Sequence, residues 1–272
     1  MKISIITINY NNKIGLQKTI ESVVKQTYND YEYIIIDGGS TDGSCDVIRN
    51  FSNCVTYWVS ERDGGIYNAM NKGIKESSGD YCLFLNSGDV LRNGNVLTLF
   101  AESVPISDIV SCGIEIEQST SYTMLPPKEI SLFSLYHSSL AHQSTFIKRA
   151  LFDRIGGYRE EYRIMSDWCF FIEALIKHQC SYEYRDFIVS IFDTTGISST
   201  NCLSEHQQSC DFLASQFPRI ERDYDIEEYI YNTAKYFRND KIILNLLFLS
   251  ARIVNRIFKL RSKLRLRISK KI

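Results

Sequence analysis

Residues 79–89 read Gly-Asp-Tyr-Cys-Leu-Phe-Leu-Asn-Ser-Gly-Asp. Tyr81–Leu85 is an aromatic and apolar run with turn residues on both sides, the pattern of a short, fully buried strand. It stops abruptly at Asn86-Ser87-Gly88-Asp89. An amide and a carboxylate therefore sit on a glycine-bearing turn just past the carboxyl end of a strand, the edge at which open α/β sheets bind ligands. Oxygen ligands on such a turn suit a hard divalent cation, and the cation in turn suits a diphosphate. The competing reading is a polar Asx turn, which Asn, Ser, Gly and Asp all favour. The neighbouring segments decide between them.

Upstream of this stretch, Ile3–Ile8 reads as a strand that runs into the polar turn Asn9–Lys13. Leu16, Ile20, Val23 and Val24 fall on one helical face within Ile14–Gln26. Tyr31–Ile36 is a second strand, closed by Asp37-Gly38-Gly39-Ser40-Thr41-Asp42-Gly43. Ser40 or Thr41 is placed to cap a helix carrying Val47, Ile48 and Phe51. Val55–Val59 is a third strand. This succession is a βαβαβ unit, which implies parallel pairing and right-handed crossovers. Gly64-Gly65 then leads into a helix with Ile66, Ala69, Met70, Gly73 and Ile74, whose first turn faces the same edge and can hold an anion.

Downstream, Asn95–Phe100 reads as helix, Ile109–Cys112 as a short strand, and Arg149–Arg154 as a helix closed by Gly156-Gly157. Trp168, Phe171, Ile172, Leu175 and Ile176 form an amphipathic helix with Ser166 or Asp167 at the cap position. Tyr182–Phe192 reads as a strand and Thr194–Thr200 as a polar loop.

The 272 residues suffice for a large α/β domain with a tail. The net charge of −1 is unevenly spread. Residues from Lys241 onward hold ten Lys and Arg and no Asp or Glu, leaving −11 on the rest. The apolar run Ile242–Leu249 is much shorter than the ~20 residues that span a bilayer. Residues 241–272 read as a basic amphipathic helix on an anionic membrane surface. A helix packed on the folded domain and an oligomer contact are the competing readings. No nucleic-acid recognition motif is present. The eight cysteines show no C-x-x-C spacing or zinc pattern, and the apolar start is too short for a secretory signal, so the expected setting is reduced and cytoplasmic.

The blocks Ile3–Asn9, Gln26-Thr27, Ile34–Gly43 and Gly79–Asp89 resemble the N-terminal half of family 2 glycosyltransferases, which have the GT-A fold. Ala141–Arg149 and Tyr162–Phe171 resemble later family blocks. The resemblance spans roughly residues 1–200 and involves several ordered motifs. It implies a Rossmann-like, mixed and mostly parallel sheet flanked by helices. Residues 1–100 would form the nucleotide-sugar half and 101–200 the acceptor and catalytic half. Residues 201–272 would be a helical extension. The implied activity is transfer of a sugar from a nucleotide-diphosphate donor to an acceptor hydroxyl, usually with inversion, in bacterial capsule, exopolysaccharide or lipopolysaccharide synthesis. The implied cofactor is Mn²⁺ or Mg²⁺. With the basic tail, the resemblance implies a lipid-linked glycan acceptor and a peripheral site on the inner face of the plasma membrane.

Carried over residue by residue, the Asp-x-Asp signature falls on Asn86-Ser87-Gly88-Asp89. Asn86 replaces the first carboxylate and Gly88 the next, which leaves Asp89 as the expected metal ligand and Asn86 and Ser87 as donor contacts. Asp37 matches an aspartate of the nucleotide pocket. The following family position is often a second aspartate and is Gly38 here, which weakens an assignment to uracil. Thr7 and Asn9 are expected to line the nucleoside pocket through backbone and amide groups, and Asp63 to sit beside the donor. Asp37 has a competing role as a plain turn residue, and Asp63 as a helix cap. Asp167 resembles the family's catalytic aspartate, the general base; its competing role is helix cap. His142 matches a position near the acceptor or the metal, and a lone histidine is as readily structural. Arg163, Tyr67, Asn68 and Lys72 are weaker candidates. Two other classes compete. A sugar-phosphate nucleotidyltransferase would carry a glycine-rich basic loop after the first strand, where this chain has Asn9-Tyr10-Asn11-Asn12-Lys13. A sugar-nucleotide-binding scaffold without activity is the other.

Overall fold

A computed structural model describes residues 1–117, 121–194 and 202–217. In chain order the elements are β1 (Ile3–Asn9), α1 (Lys13–Val24), β2 (Tyr31–Asp37), α2 (Ser44–Asn50), β3 (Tyr57–Ser60), α3 (Ile66–Glu76), β4 (Tyr81–Phe84), β5 (Val90–Leu91), α4 (Val96–Glu102), β6 (Ile109–Glu117), β7 (Tyr122–Met124), α5 (Leu132–His137), β8 (Thr145–Lys148), α6 (Arg149–Ile155), α7 (Ser166–Ile172), β9 (Tyr182–Asp193) and α8 (Cys202–Gln216). The chain divides into two units after Ser209, and the sheet lies wholly in the first.

The sheet runs β3-β2-β1-β4-β8-β6-β9-β5, with β7 beside β6. Strands β3, β2, β1 and β4 are all parallel. The second half is mixed: β8 is antiparallel to both β4 and β6, while β9 is parallel to β6. Two reversals cancel, so β6 and β9 point the same way as β4. The carboxyl ends of β1, β2, β3, β4, β6 and β9 therefore share one edge.

Strand alternation assigns the two faces. Ile3, Ile5, Tyr33, Ile35, Tyr81 and Leu83 pack with Leu16, Ile20 and Val23 of α1 and Val47 and Ile48 of α2. The opposite face receives α3 at close range: a Cβ on Gly73 would lie 2.4 Å from Ile6 Cγ2, so that position excludes any side chain. Further along this face Phe84 meets Tyr158 edge-on at 5.3 Å between ring centroids, and Phe152 stacks on Phe170 at 4.9 Å. Truncating Phe84 to Ala would cost about 3–5 kcal/mol. With both faces covered, β1 is buried along its whole length, which is why its isoleucines fall on both faces and do not strictly alternate with polar residues.

At the amino edge Glu32 is a buried carboxylate clamped by Lys2 Nζ at 2.6 Å, Ser4 Oγ at 2.6 Å and Ser78 Oγ at 2.8 Å. Burial pushes its carboxyl up, but these bonds outweigh it and bring it down to about 2. It ties the loop before β4 to β1 and β2, at the end of the sheet remote from the ligand edge.

Three local expectations change. Neither Ser40 nor Thr41 caps α2: its N-cap is Gly43, with φ of 90°, and the Asp42 carboxylate accepts from Ser44 N at 3.0 Å instead. Ser40 is drawn to Asp37. Neither Ser166 nor Asp167 caps α7: Met165 holds that position without a side-chain bond, and the Ser166 hydroxyl accepts from Arg159 N at 2.5 Å. Strand β6 continues well past Cys112, through Gly113, where a Cβ would meet Ile188 Cδ1 at 2.7 Å. The glycine marks a close approach of β9 and a register shift, not the strand's end.

Cys45, Cys54, Cys82, Cys112, Cys169 and Cys180 are free thiols. Among the described residues no helix is long and apolar enough to cross a membrane. The basic segment 241–272 lies outside the described residues, as does nearly all of the loop expected at Thr194–Thr200.

Candidate active site at the carboxyl edge of the sheet

Asn9 and Asp37 end neighbouring strands and are register partners. Asn9 Nδ2 donates to Asp37 Oδ1 at 2.7 Å. Ser40 Oγ donates to the same oxygen at 2.6 Å, while Ser40 N and Ser60 Oγ donate to Oδ2 at 2.9 and 2.6 Å. Burial pushes the Asp37 carboxyl up, but the bonds from Ser40, Ser60 and Asn9 prevail and hold it below its ordinary value. Asp37 is 0 % exposed. Its carboxylate thus fixes the turn after β2, and whatever it does for a ligand passes through Asn9, Ser40 and that backbone. Asn9 Oδ1 is buried and has no hydrogen-bond partner. Thr7 is fully buried two residues earlier, its hydroxyl 3.1 Å from Tyr33 OH. It belongs to the core under the pocket.

Asp63 reaches the same turn from the loop before α3. Its Oδ1 accepts from Gly65 N at 2.9 Å. A Cβ on Gly38 would lie 2.8 Å from Asp63 Oδ2. The Asp63 carboxylate therefore occupies the space into which a side chain at position 38 would project.

The turn after β4 is held by α1. Gly88 N donates to Thr19 Oγ1 at 2.9 Å, Thr19 Oγ1 donates to the Asp89 carbonyl at 2.7 Å, and Asn12 Nδ2 donates to the Ser87 carbonyl at 2.9 Å. Asp89 is 3 % exposed. Its Oδ1 accepts from Asp193 N at 3.0 Å, and its Oδ2 is buried without a partner. Burial pushes its carboxyl up to about 7; the Asp193 N–H and His142 pull it down, while the Asp193 charge adds to the rise.

A hydrogen-bonded chain crosses from this turn to the second half of the domain. Asn86 Nδ2 lies 3.2 Å from His142 Nε2, His142 Nδ1 lies 2.9 Å from Asp167 Oδ2, and Tyr67 OH donates to Asp167 Oδ1 at 2.8 Å. The Tyr67 hydroxyl also lies against the Ile164 carbonyl oxygen. The His142 and Asp167 side chains are 14 % and 15 % exposed, enough for a ligand to reach them. Burial pushes His142 down, but the Asp167 bond and the charges of Asp167 and Asp89 raise it above its ordinary value. Burial pushes Asp167 up, and the bonds from His142 and Tyr67 reverse that, leaving it below its ordinary value. His142 Nδ1–H therefore donates to the Asp167 carboxylate, and Nε2 accepts from Asn86 Nδ2.

The structure thus joins Asn86, His142, Asp167 and Tyr67 in one network, sets Asp89 behind it, and groups Asn9, Asp37 and Asp63 at the neighbouring strand ends. Asn68 and Lys72 bond instead to Glu160 and Glu61, and Arg163 is exposed. Sequence reading misses Thr19, Ser60 and Asp193, and undervalues Tyr67. A strand-end rule would flag Asp193 once the direction of β9 is known.

Oxygen donors are the proper test for a hard divalent cation. Asp89 Oδ2 and Asn86 Oδ1 are both buried oxygens without partners, and they fit such an ion. Both ring nitrogens of His142 are engaged by Asp167 and Asn86, so in this arrangement it offers none. Among the described residues no group of three or more His, Cys, Asp and Glu side chains is poised to hold a metal. The residues here supply only part of a ligand set.

A carboxyl raised toward 7 makes the folded state bind its proton more tightly than the unfolded state, so stability falls as pH rises from about 4 through about 7. In EDTA, denaturant unfolding of the wild type is expected to lose about 2–3 kcal/mol between pH 5 and pH 8 relative to Asp89→Asn, whose neutral amide keeps the bond from Asp193 N. A difference between the two proteins that does not move with pH would contradict the burial of an unpaired carboxylate there.

Comparison with known proteins identifies the lineage of this site. The description "Glycosyl transferase family 2" matches residues 4–164. An uncharacterised glycosyltransferase of Mycobacterium tuberculosis is 35 % identical over 206 residues, covering 72 % of this chain and 77 % of the relative. Among solved structures, S. aureus TarS residues 1–349 in complex with UDP-GlcNAc superposes with a TM-score of 0.63 at 18 % identity, covering 79 % of this chain and 67 % of that one. The mannosyltransferase PcManGT of Pyrobaculum calidifontis, in complex with GDP-Man and Mn²⁺, gives a TM-score of 0.56 at 15 % identity, with coverage of 81 % and 64 %. The sheet order and flanking helices are those of the GT-A fold, and the chain belongs to glycosyltransferase family 2.

Proposed function

We propose that this glycosyltransferase moves a hexosyl or N-acetylhexosaminyl group from a nucleotide diphosphate to an acceptor hydroxyl with inversion, and that Asp167 is the general base. The observation that carries this is the Tyr67–Asp167–His142–Asn86 chain. Asp167 caps no helix. His142, Tyr67 and the Trp168 backbone N–H instead hold it ionised while it stays partly open to solvent. An ionised carboxylate has about four acceptor sites, so beside the bonds it already accepts it can take the proton of an acceptor hydroxyl within hydrogen-bonding reach. That acceptor oxygen then attacks the anomeric carbon, and the bond from that carbon to the diphosphate oxygen breaks. His142 and Tyr67 orient the base, and Asn86 ties it to the donor turn.

The donor nucleoside lies against Asn9 and the turn held by Asp37, with Asp63 beside it and Asn86 and Ser87 toward the sugar and diphosphate. A bound Mn²⁺ or Mg²⁺ would neutralise the departing diphosphate as a Lewis acid. Asp89 would hold it from the protein side. PcManGT with GDP-Man and TarS with UDP-GlcNAc share the fold and bind different nucleotides, and Gly38 removes the family's usual second aspartate. The nucleotide is therefore left to experiment.

The acceptor is a lipid-linked glycan at the anionic inner face of the plasma membrane, in bacterial capsule, exopolysaccharide or lipopolysaccharide synthesis. The ten Lys and Arg with no Asp or Glu in residues 241–272 support this.

Release of nucleoside diphosphate is the direct assay, run across nucleotide sugars with Mn²⁺ or Mg²⁺ and lipid-linked acceptors. One donor is expected to turn over, and Asp167→Asn to lower turnover by about 10²–10⁴-fold with donor affinity nearly unchanged. Donor binding without turnover by the wild type would instead show a scaffold, and full turnover by Asp167→Asn would remove the base. Cosedimentation with anionic vesicles is expected for the full chain and not for one ending at Asp240; equal binding by both would sink the membrane reading.

A further inference from the structure

The family signature places a carboxylate where this chain has Gly88, and the structure shows what stands there instead. Gly88 has φ of 112°, a conformation that L side chains rarely adopt. A Cβ built on it would lie 2.4 Å from Asp193 Oδ2 and 3.1 Å from Asp193 Cγ. The volume a side chain at position 88 would need is thus already filled by a carboxylate, and it comes from the last residue of β9, more than a hundred positions away. The same strand end is tied to the turn by its backbone, through the bond from Asp193 N to Asp89 Oδ1 at 3.0 Å.

A second observation points to a ligand. Asp89 is 3 % exposed, yet its Oδ2 is buried with no hydrogen-bond partner. Asn86 Oδ1, at the start of the same turn, is likewise buried and unpartnered. An unpaired buried carboxylate oxygen is costly unless a cation meets it. Two carboxylates in contact through backbone and turn, one with a vacant buried oxygen, have the character of a hard-cation site short of the ligands a diphosphate would add. The same exchange recurs at the neighbouring strand end, where Asp63 Oδ2 lies against Gly38.

We propose that Asp193 supplies to the diphosphate-bound divalent cation the carboxylate that the Asp-x-Asp signature would carry at position 88, so that Asp89 and Asp193 form the protein's share of the metal site. Gly88 is then a requirement of the site: its missing side chain makes room for the carboxylate from β9. This rests on the reading of the chain as a metal-using sugar transferase.

The test is Mn²⁺ binding by the full chain, followed by loss of the free-ion EPR signal in the presence of ADP, CDP, GDP, UDP or dTDP. The wild type is expected to bind Mn²⁺ with at least one of them. Asp193→Asn, and Asp193→Ser should the first variant fold poorly, are expected to weaken that binding by at least about tenfold, the smaller end of what loss of even an outer-shell partner costs. Asp193→Glu should recover part of it, with thermal midpoint and nucleotide binding in EDTA close to wild type. Unchanged Mn²⁺ affinity in the Asp193 variants alongside loss in Asp89→Asn would overturn the inference and leave the metal reading standing. Wild-type protein that binds no Mn²⁺ with any of the nucleotides would overturn the metal reading and this inference together.

Discussion

Parallel strands have to end where their neighbours end, and the site follows from that constraint. Because β1, β2, β3 and β4 run the same way, Asn9, Asp37, Ser60 and the Asn86 turn arrive at one edge without any contact having to bring them there. The two reversals through β8 deliver Asp193 to the same edge. Each crossover helix must begin where its strand ended, so α1 and α3 start beside these turns. Asn12 before α1, Thr19 in its middle turn and Tyr67 at the start of α3 fix polar groups of the site. The apolar faces of the same helices pay for that by burying Leu16, Ile20, Met70 and Ile74.

The proposed chemistry rests on one chain of hydrogen bonds that joins the two halves of the domain. Asp167 is buried enough that desolvation works against its charge, and His142 and Tyr67 overcome it. A carboxylate tuned this way is ionised at neutral pH yet held at one orientation, which is what a general base needs. Asp89 shows the opposite balance. Burial dominates there, one oxygen lacks a partner, and a cation is the natural complement. Two carboxylates within one site thus take different environments, which suit them to the different roles proposed.

Much of this was legible in the residues. The isoleucine-rich Ile3–Ile8 and the apolar run Tyr81–Leu85, each closed by a polar turn, announced buried strands because both faces of such a sheet are covered. Asp37, Asn86, Asp89, His142 and Asp167 stood out through the family resemblance. The interactions among them did not, since a bond between His142 and Asp167 depends on how α7 packs, and no spacing encodes that. Ser166-Asp167 looked like a cap because the chemistry of capping is local, but tertiary partners claimed both side chains. Asp193 was hidden for a further reason. Its position beside Gly88 exists only once β9 lies parallel to β6 and two strands beyond β8, a choice of topology that residues 182–193 do not carry. The length of β6 was also hidden: it runs on past Cys112 through Gly113, whose missing side chain admits Ile188.

The most direct measurement is a crystal structure of the protein with its nucleoside diphosphate and Mn²⁺. The nucleoside is expected against Asn9 and the Asp37 turn, with the diphosphate over Asn86–Asp89 and Asp167 within reach of the β-phosphate side where the sugar would stand. A nucleotide bound away from the carboxyl ends of β1, β2 and β4, or one whose diphosphate leaves Asn86–Asp89 untouched, would contradict the account.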